Sequence, residues 1–463
     1  MNRRRRLRRS LPLLGGAALL PLLLLAPRAA SPAAQQRPGP RFPNVLVVTI
    51  DTLRADRLSG YGYGRATTPN LDRWMASGAR FAQARTVEPL TNPAVCSMFT
   101  SLYPHEHGAT RNGLAMRPGL PSAAAALRRR GYRSAAFVGN WTLKDRISGL
   151  GEHFEGYHEV FTRKRWFGVF KGEATAEDLT DAALDWLADH QQAHRRPFLL
   201  WVHYVEPHAP YRLQAGFAGR LGIAAAGEPP RPDRYDSEIA FADHHVGRLL
   251  AAVERDAALA ANTIVLFTAD HGESLGEHGA WGHGRQLYDT TLRIPLAIAW
   301  PGRIPPGVIE APALNLDIAP TLLGLAGLPV PGGFRGFDWS AVLQGGAPPP
   351  RGRVVWFQAH KGAVLSQQEA RSGARRRGLL EVALLTGMRK EILRLEGTRR
   401  WLFDLARDPA ERRGQAAEAN AASAELRRWM TQVQQGLAAS DRLAPIELDP
   451  ESVEKLRALG YAE

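Results

Sequence analysis

Between residue 44 and about residue 345, short apolar runs alternate with amphipathic stretches. Asn44–Ile50 (NVLVVTI) is rich in β-branched residues and stops at Asp51. Residues 134–138, 198–202, 263–268 and 295–299 repeat that form. Runs that are apolar at every position suit strands buried on both faces, as in a parallel sheet. Helical patterns lie between them. Thr68-Pro69-Asn70-Leu71 starts one, with Thr68 as N-cap and Pro69 at the first helical position. Residues 122–130, 176–190 and 235–257 carry others. The alternation predicts a mostly parallel central sheet flanked by helices. From about Arg351 the pattern changes. Short strand candidates appear at 354–357, 382–385, 392–395 and 401–404, with a helix candidate at 421–436. They predict a smaller C-terminal α+β subdomain, an antiparallel sheet with one packed helix. The expected division is 44–345 for the larger domain and 346–463 for the smaller.

Composition changes this picture mainly at the N-terminus. The chain has 463 residues, 44% of them hydrophobic and 22% charged. Those fractions exclude disorder along the whole chain. A single cysteine, Cys96, excludes a disulfide scaffold. The formal charge is +14, but the seven arginines of residues 1–34, with no acid among them, account for half of it. The remainder suits anionic substrates or surfaces and does not argue for nucleic acid. Residues 1–9 are a basic start and residues 11–26 an apolar run, with small residues near Ala30 and Ala34. This is the tripartite pattern of a secretory signal peptide over residues 1–34. Such a run, as helix, spans about 24 Å, short of a bilayer's hydrocarbon core. An uncleaved membrane anchor is the alternative. A Pro-rich linker, 35–43, follows, and the expected compartment is periplasmic or extracellular.

Candidate chemistry gathers where the strands end. In open parallel sheets, ligands bind beyond the carboxyl ends of the strands. The first run ends at Asp51, 134–138 is followed by Asn140, 198–202 leads to His203 and His208, and 263–268 ends at Asp270-His271. Carboxylates and a histidine converging from distant strands suit a hard or borderline divalent cation. Taken singly, Asp51 and Asp270 also read as turn or N-cap residues. Residues 89–96 (PLTNPAVC) precede an apolar-periodic segment, which puts Thr91 at or just before a helix N-terminus. Free N–H groups and the helix dipole attract an anion there, and a metal beside the hydroxyl would make it a nucleophile. Spacing alone reads Thr91 as an N-cap. His105 and His107, in YPHEHG, read as structural. In residues 276–284 (GEHGAWGHG), glycines let backbone approach a ligand closely. His283 is the candidate proton donor there, with His278 as substitute.

Together these segments resemble the sulfatase family of the alkaline-phosphatase-like superfamily. Residues 44–63 (NVLVVTIDTLRADRLSGYGY) look like its opening strand and metal loop, and 67–81 (TTPNLDRWMASGARF) like its first helix. Residues 101–108, 198–211 (FLLWVHYVEPHAPY), 268–292 (TADHGESLGEHGAWGHGRQLYDTTL), 317–321 and 402–412 (LFDLARDPAER) are similar to further family blocks. So is the C-terminal stretch 448–461. The similarity spans roughly residues 42–463, in family order. It implies an alkaline-phosphatase-like fold, a divalent metal and hydrolysis of an oxyanion ester.

The departures are as informative. Family sulfatases open a Cys/Ser-x-Pro-x-Arg motif with a residue oxidised to formylglycine. Here Thr91 stands at that position, Pro93 matches and Val95 replaces the arginine. Cys96 falls five residues too late, so no formylglycine is expected. The family's Gly-Lys-Trp-His appears as Gly139-Asn140-Trp141-Thr142, and its paired acids appear as Asp51-Thr52. What remains, Asp51, Thr91, Asp270 and His271, resembles one metal site of threonine-nucleophile phosphodiesterases in the same superfamily. The expectation is a secreted hydrolase of sulfate or phosphate esters. Asp51, Thr91, Asp270 and His271 would hold one divalent ion, of calcium, zinc or manganese. Thr91 would be the nucleophile. His283 and His208 would act on the ester, and Asn140, His208 and His283 would contact the substrate. The partner would be a small-molecule or glycan ester, with no nucleic acid, and a membrane only through an uncleaved leader. The alternative is an inactive relative that binds sulfated or phosphorylated glycans.

Overall fold

A computed structural model describes residues 42–165, 170–194, 196–224, 227–360, 378–395 and 399–440. The predicted leader, most of the linker, residues 166–169 and the block at 448–461 lie outside the described residues. Among the described residues, no helix is long and apolar enough to cross a membrane.

The apolar runs form the centre of an eight-stranded sheet. In chain order its strands are β1 (Asn44–Ile50), β2 (Ala79–Phe81), β3 (Arg133–Val138), β4 (Gly156–Glu159), β5 (Phe198–Tyr204), β6 (Thr263–Ala269), β7 (Leu296–Ala299) and β8 (Gly307–Ile309). Their spatial order is β8-β2-β7-β6-β1-β5-β3-β4. The stretch from β6 to β4 is parallel throughout. β7 differs from the expectation drawn from its apolar run. It pairs antiparallel with both β6 and β2. The reason is the connection. Between β6 and β7 lie only a small hairpin, Ser274–Leu275 with Trp281–Gly282, and a one-turn helix, Asp289–Leu292. No long crossover helix returns the chain to the other end of the sheet, so it comes back antiparallel.

Every residue of β1, β5 and β6 is buried. Helices therefore cover both faces, as the uninterrupted apolar pattern requires. They are α1 (Pro69–Met75), α2 (Thr91–Thr100), α3 (Ala123–Arg129), α4 (Ala176–Ala193), α5 (Arg231–Glu254) and α6 (Ile318–Leu325). α1 and α4 pack on α5, while α2 and α3 pack on α6. Local chemistry sets their ends. Ser122 caps α3 by accepting the Ala125 N–H at 3.0 Å. Thr175 and Asp178 form a capping box on α4. α5 begins four residues before its apolar pattern, with Pro232 in a first turn where a missing N–H costs nothing.

The C-terminal sheet is an antiparallel meander of β9 (Val354–His360), β10 (Leu379–Thr386), β11 (Arg389–Arg394), β12 (Arg399–Asp404) and β13 (Gln415–Glu418). A single helix, α7 (Ala424–Ser440), places Leu426, Trp429, Val433 and Leu437 in one cluster with Phe357, Val382 and Ile392. That cluster also takes in Val87, Leu287 and Leu316. The two sheets belong to one compact unit.

Candidate active site

Register brings the candidate residues together. Thr49 lies opposite His203 on one side and Thr268 on the other, and Ile50 lies opposite Tyr204 and Ala269. Asp51 and Asp270 therefore leave the sheet side by side, one residue beyond the same rung. His203 sits one rung lower, inside β5. One carboxylate oxygen of Asp51, one of Asp270 and one ring nitrogen of His203 all lie within 4.8 Å of one another. All three residues are buried, at 0%, 2% and 0% exposure.

This cluster has too much negative charge for its surroundings. Burial pushes the Asp270 carboxyl well above the usual carboxylate range, and nearby Asp51 pushes it further. Asp270 Oδ1 accepts the N–H groups of Thr52 at 3.1 Å and His271 at 2.7 Å. Among the described residues, Asp270 Oδ2 and His203 Nε2 make no hydrogen bond. Buried polar atoms that make no hydrogen bond, one of them a ring nitrogen 3.7 Å from Asp51 Oδ2, fit a divalent cation. The rest of His203 agrees. Its Nδ1 lies 2.8 Å from Thr49 Oγ1, which also accepts the Trp201 Nε1–H at 2.9 Å. Thr49 can donate its own proton to the Val202 carbonyl, 3.4 Å away. In that arrangement His203 Nδ1 carries the hydrogen and Nε2 keeps its lone pair for a cation.

The loop after β1 is strained. Thr52 has φ of 56°, the left-handed region that a β-branched residue rarely enters. It is held there by its N–H bond to Asp270 and by Tyr235, whose hydroxyl donates to the Thr52 carbonyl at 2.7 Å. The same hydroxyl accepts the Arg54 N–H at 3.0 Å. Strain held this firmly fixes the direction in which Asp51 leaves the strand.

Thr91 is the first residue of α2, and α2 is buried along its whole length. Its Oγ1 lies 3.3 Å from His271 Nε2. His271 Nδ1 lies 2.9 Å from the Gly272 carbonyl, an acceptor only, so the hydrogen of neutral His271 sits on Nδ1. Nε2 is then an acceptor facing the Thr91 hydroxyl. It is also 3.4 Å from Asp270 Oδ2 and 3.9 Å from Asp51 Oδ1. Burial, with the neighbouring His283, holds His271 well below its usual pKa. Gly272 fixes this turn, because a Cβ there would stand 2.2 Å from the Thr290 carbonyl oxygen.

The remaining candidates fall into two groups. His283 and His208 are near the centre. The His283 ring lies 4.4 Å from that of His271 and 5.3 Å from that of His208. His283 Nδ1 is 3.1 Å from Glu273 Oε1. Burial alone would lower the His283 pKa, but Glu273, Asp51 and Asp270 outweigh it and leave it raised. Asn140 faces the acid cluster: its Nδ2 donates to Asp51 Oδ2, and its Oδ1 accepts from Thr142 N–H at 2.9 Å and Thr142 Oγ1 at 2.8 Å.

The others serve the scaffold. His278 stacks on Tyr288, with centroids 3.7 Å apart. His107 lies 3.0 Å from Ser97 Oγ, and His105 lies 2.8 Å from Gln358 Oε1 and packs on Trp429. Cys96 is buried in α2, and burial raises its thiol pKa far out of the reactive range. Sequence reasoning missed two residues. His203 was placed at a strand end without a role, and Glu273 was not singled out. An acid three residues after Asp270, directly following Gly272, is the sequence signal that points to Glu273.

Comparison with known proteins shows the family and the fold. The Sulfatase family model matches residues 43–328. The chain is 28% identical over 379 residues to the uncharacterised sulfatase YidJ of Escherichia coli (strain K12), covering 69% of this chain and 74% of that protein. It is 26% identical over 426 residues to an N-acetylglucosamine-6-O-sulfatase of Bacteroides thetaiotaomicron, covering 70% and 75%. Among solved structures, one in complex with its substrate D-glucosamine-2-N,6-O-disulfate has a TM-score of 0.64 at 20% identity, covering 88% of this chain and 100% of that one. The phosphonate monoester hydrolase of Agrobacterium radiobacter has a TM-score of 0.63 at 21% identity, covering 89% and 99%. These two share the fold. With its strand-end acids, its buried helix opening at residue 91 and its glycine-punctuated histidine loop, the chain belongs to the sulfatase family.

Proposed function

We propose that this protein is a metal-dependent hydrolase of sulfate or phosphate esters that uses the Thr91 hydroxyl as its nucleophile. The observation that carries the reading is Thr91 Oγ1 at the start of a fully buried helix, 3.3 Å from His271 Nε2 and beside two buried acids. Asp51, Asp270 and His203 would hold a divalent cation, with His271 beside them. When bound, it would supply the Lewis acidity that lowers the hydroxyl's pKa and neutralises the two carboxylates.

The protein's own residues supply the rest. The helix dipole favours the incoming anion, although the Asn92 N–H is taken by Asn112 Oδ1, Pro93 has none and Ala94 donates to the Leu90 carbonyl. Thr91 Oγ passes its proton to His271 Nε2 and attacks sulfur or phosphorus, and the bond to the leaving alcohol oxygen breaks. His283, whose Nδ1 faces Glu273 Oε1 at 3.1 Å, gives that oxygen its proton, with His208 alongside. The covalent threonine ester is then cleaved by water. Threonine lacks the geminal hydroxyl through which formylglycine expels sulfate by elimination. Release therefore needs attack at the central atom, which favours phosphorus over sulfur. The basic-then-apolar pattern of residues 1–34 supports a secreted or N-terminally anchored activity, and the change of pattern near residue 346 supports a catalytic domain at 44–345 with a smaller subdomain at 346–463.

The test uses protein from Gln35 onward, saturated in turn with calcium, zinc and manganese. Turnover of an aryl sulfate, an aryl phosphate and a bis-aryl phosphate is compared with that of Thr91→Ala. The expected loss in the variant is at least about 10³-fold, with phosphate esters turned over faster than sulfates by the parent. No Thr91-dependent turnover with any metal would favour the glycan-binding reading instead.

A further inference from the structure

Glu88 and His360 are buried titratable residues that the chemistry above leaves unused, at 0% and 1% exposure. Glu88 stands three residues before Thr91. His360 ends β9, the edge strand of the C-terminal sheet. The pairing of β9 with β10 shifts register between Ala359 and His360, an irregularity of the kind that re-aims one side chain. His360 meets Glu88 twice. Its N–H donates to Glu88 Oε1 at 3.0 Å, and its Nδ1 lies 3.0 Å from Glu88 Oε2. Two residues earlier, the Gln358 N–H donates to the Val87 carbonyl at 3.0 Å. The edge of the second sheet thus grips the segment that leads into the nucleophile helix.

Other bonds fix the same segment from the larger sheet's side. Asn315 Oδ1 accepts the Val87 N–H at 3.1 Å, and Asn315 Nδ2 donates to the Ala94 carbonyl at 3.0 Å. Asn315 therefore ties a residue before Thr91 to one after it. Thr86 Oγ1 donates to the Glu88 carbonyl at 3.1 Å. α2 itself starts with Leu90 at its N-cap and no side-chain cap, so these anchors set where Thr91 stands. The Glu88–His360 contact is the one among them made of two ionisable side chains. Burial raises the Glu88 carboxyl well above its usual range, and burial with the nearby Arg111 lowers the His360 pKa to about 3. One proton then bridges Oε2 and Nδ1. As packing alone, an apolar pair would cost less to bury. A directional bond fixes an angle that an apolar contact leaves free.

We infer that His360 is a positioning residue for the nucleophile. Through Glu88, the C-terminal sheet sets the start of α2 and with it the 3.3 Å approach of Thr91 Oγ1 to His271 Nε2. This rests on the reading of Thr91 as nucleophile.

The test is a double-mutant cycle between His360 and Thr91 in the zinc-loaded full chain, with an aryl phosphate as substrate. His360→Leu should lower kcat roughly 10–100-fold, with KM and zinc affinity by calorimetry within about twofold of the parent. His360→Asn, whose side-chain amide can donate to Glu88 from the place of Nδ1, should recover most of that rate. In the Thr91→Ala background, His360→Leu should change the residual rate by less than about twofold. An equal loss in both backgrounds would overturn the inference, because His360 would then act apart from Thr91. So would a zinc affinity that falls in step with kcat, which marks general loosening of the fold. Glu88→Gln, which keeps the side chain's shape, should repeat the pattern and serves where His360→Leu does not fold. Full turnover by Thr91→Ala refutes the nucleophile and the positioning together. Loss in Thr91→Ala with none in His360→Leu refutes the positioning alone.

Discussion

Two buried charge clusters in this protein solve the same electrostatic problem in opposite ways. At the junction of the sheets, Arg85 bonds Asp289 through Nη2 at 2.6 Å and Nε at 3.0 Å. Lys390 Nζ, fully buried, reaches Asp289 at 2.9 Å and Glu411 at 2.8 Å. Two cations face two acids; the paired cations hold the Asp289 carboxyl well below its usual range, while burial and Asp289 push Glu411 up to about 7. At the strand ends, Asp51 and Asp270 face each other with His203, and Asp270 is pushed upward. The first cluster is complete within the chain. The second has a charge deficit that a cation from solution would close. Burial by itself therefore does not mark a functional site. An uncompensated sign does.

The largest effect should come from breaking the complete cluster. Lys390→Met leaves Glu411 facing Asp289 without their shared cation, at a cost of roughly 3–5 kcal/mol. Urea unfolding should show this loss equally with added metal and with chelator. A loss that disappears in metal would erase the distinction between the clusters.

Asp270→Asn should act the other way. It removes one of two mutually repelling carboxylates, so the metal-free protein should melt no lower than the parent. Metal affinity, read by calorimetry, should fall by at least about 100-fold, and the chelator-induced drop in Tm seen in the parent should vanish. A variant that still binds metal as the parent does would remove Asp270 from the ligand set.

His107 shows a third and smaller solution, a group kept neutral by burial. Its pKa is lowered to about 3, chiefly by burial. A histidine in the unfolded chain titrates near 6.5. The unfolded state therefore binds a proton first. Stability from the neutral ring is complete above that value and erodes as pH falls toward 3. Between pH 6 and pH 4, His107→Gln should lose stability less steeply than the parent, by up to one proton's slope, about 1.4 kcal/mol per pH unit. Parallel slopes would contradict this.

Legibility in the sequence followed the same physics. The buried strands were visible because burial on both faces demands apolar residues throughout, as in NVLVVTI at 44–50. Short strands such as Ala79–Phe81 and Gly307–Ile309 carry no comparable pattern, and β13 is mostly exposed. The direction of β7 was hidden because an apolar run says where a strand is buried, not which way it runs. Asp51 and Asp270 are visible as breaks at the ends of apolar runs, whereas Thr91 reads by spacing as an N-cap and stands out only through the family resemblance. His203 was not singled out, since a polar residue within a strand reads as part of the strand until register shows what it faces. The turning of Asn140 toward Asp51 is likewise a matter of side-chain direction, which spacing does not encode.

The central claim is a covalent ester on Thr91. The direct measurement is rapid acid quenching of the metal-loaded protein during turnover of an aryl phosphate and an aryl sulfate, followed by peptide mapping by mass spectrometry. The account predicts a phosphorylated or sulfated peptide modified at Thr91, appearing within the first turnover and absent from Thr91→Ala. Steady turnover with an unmodified Thr91 peptide at every quench time, or modification at another residue, would contradict it.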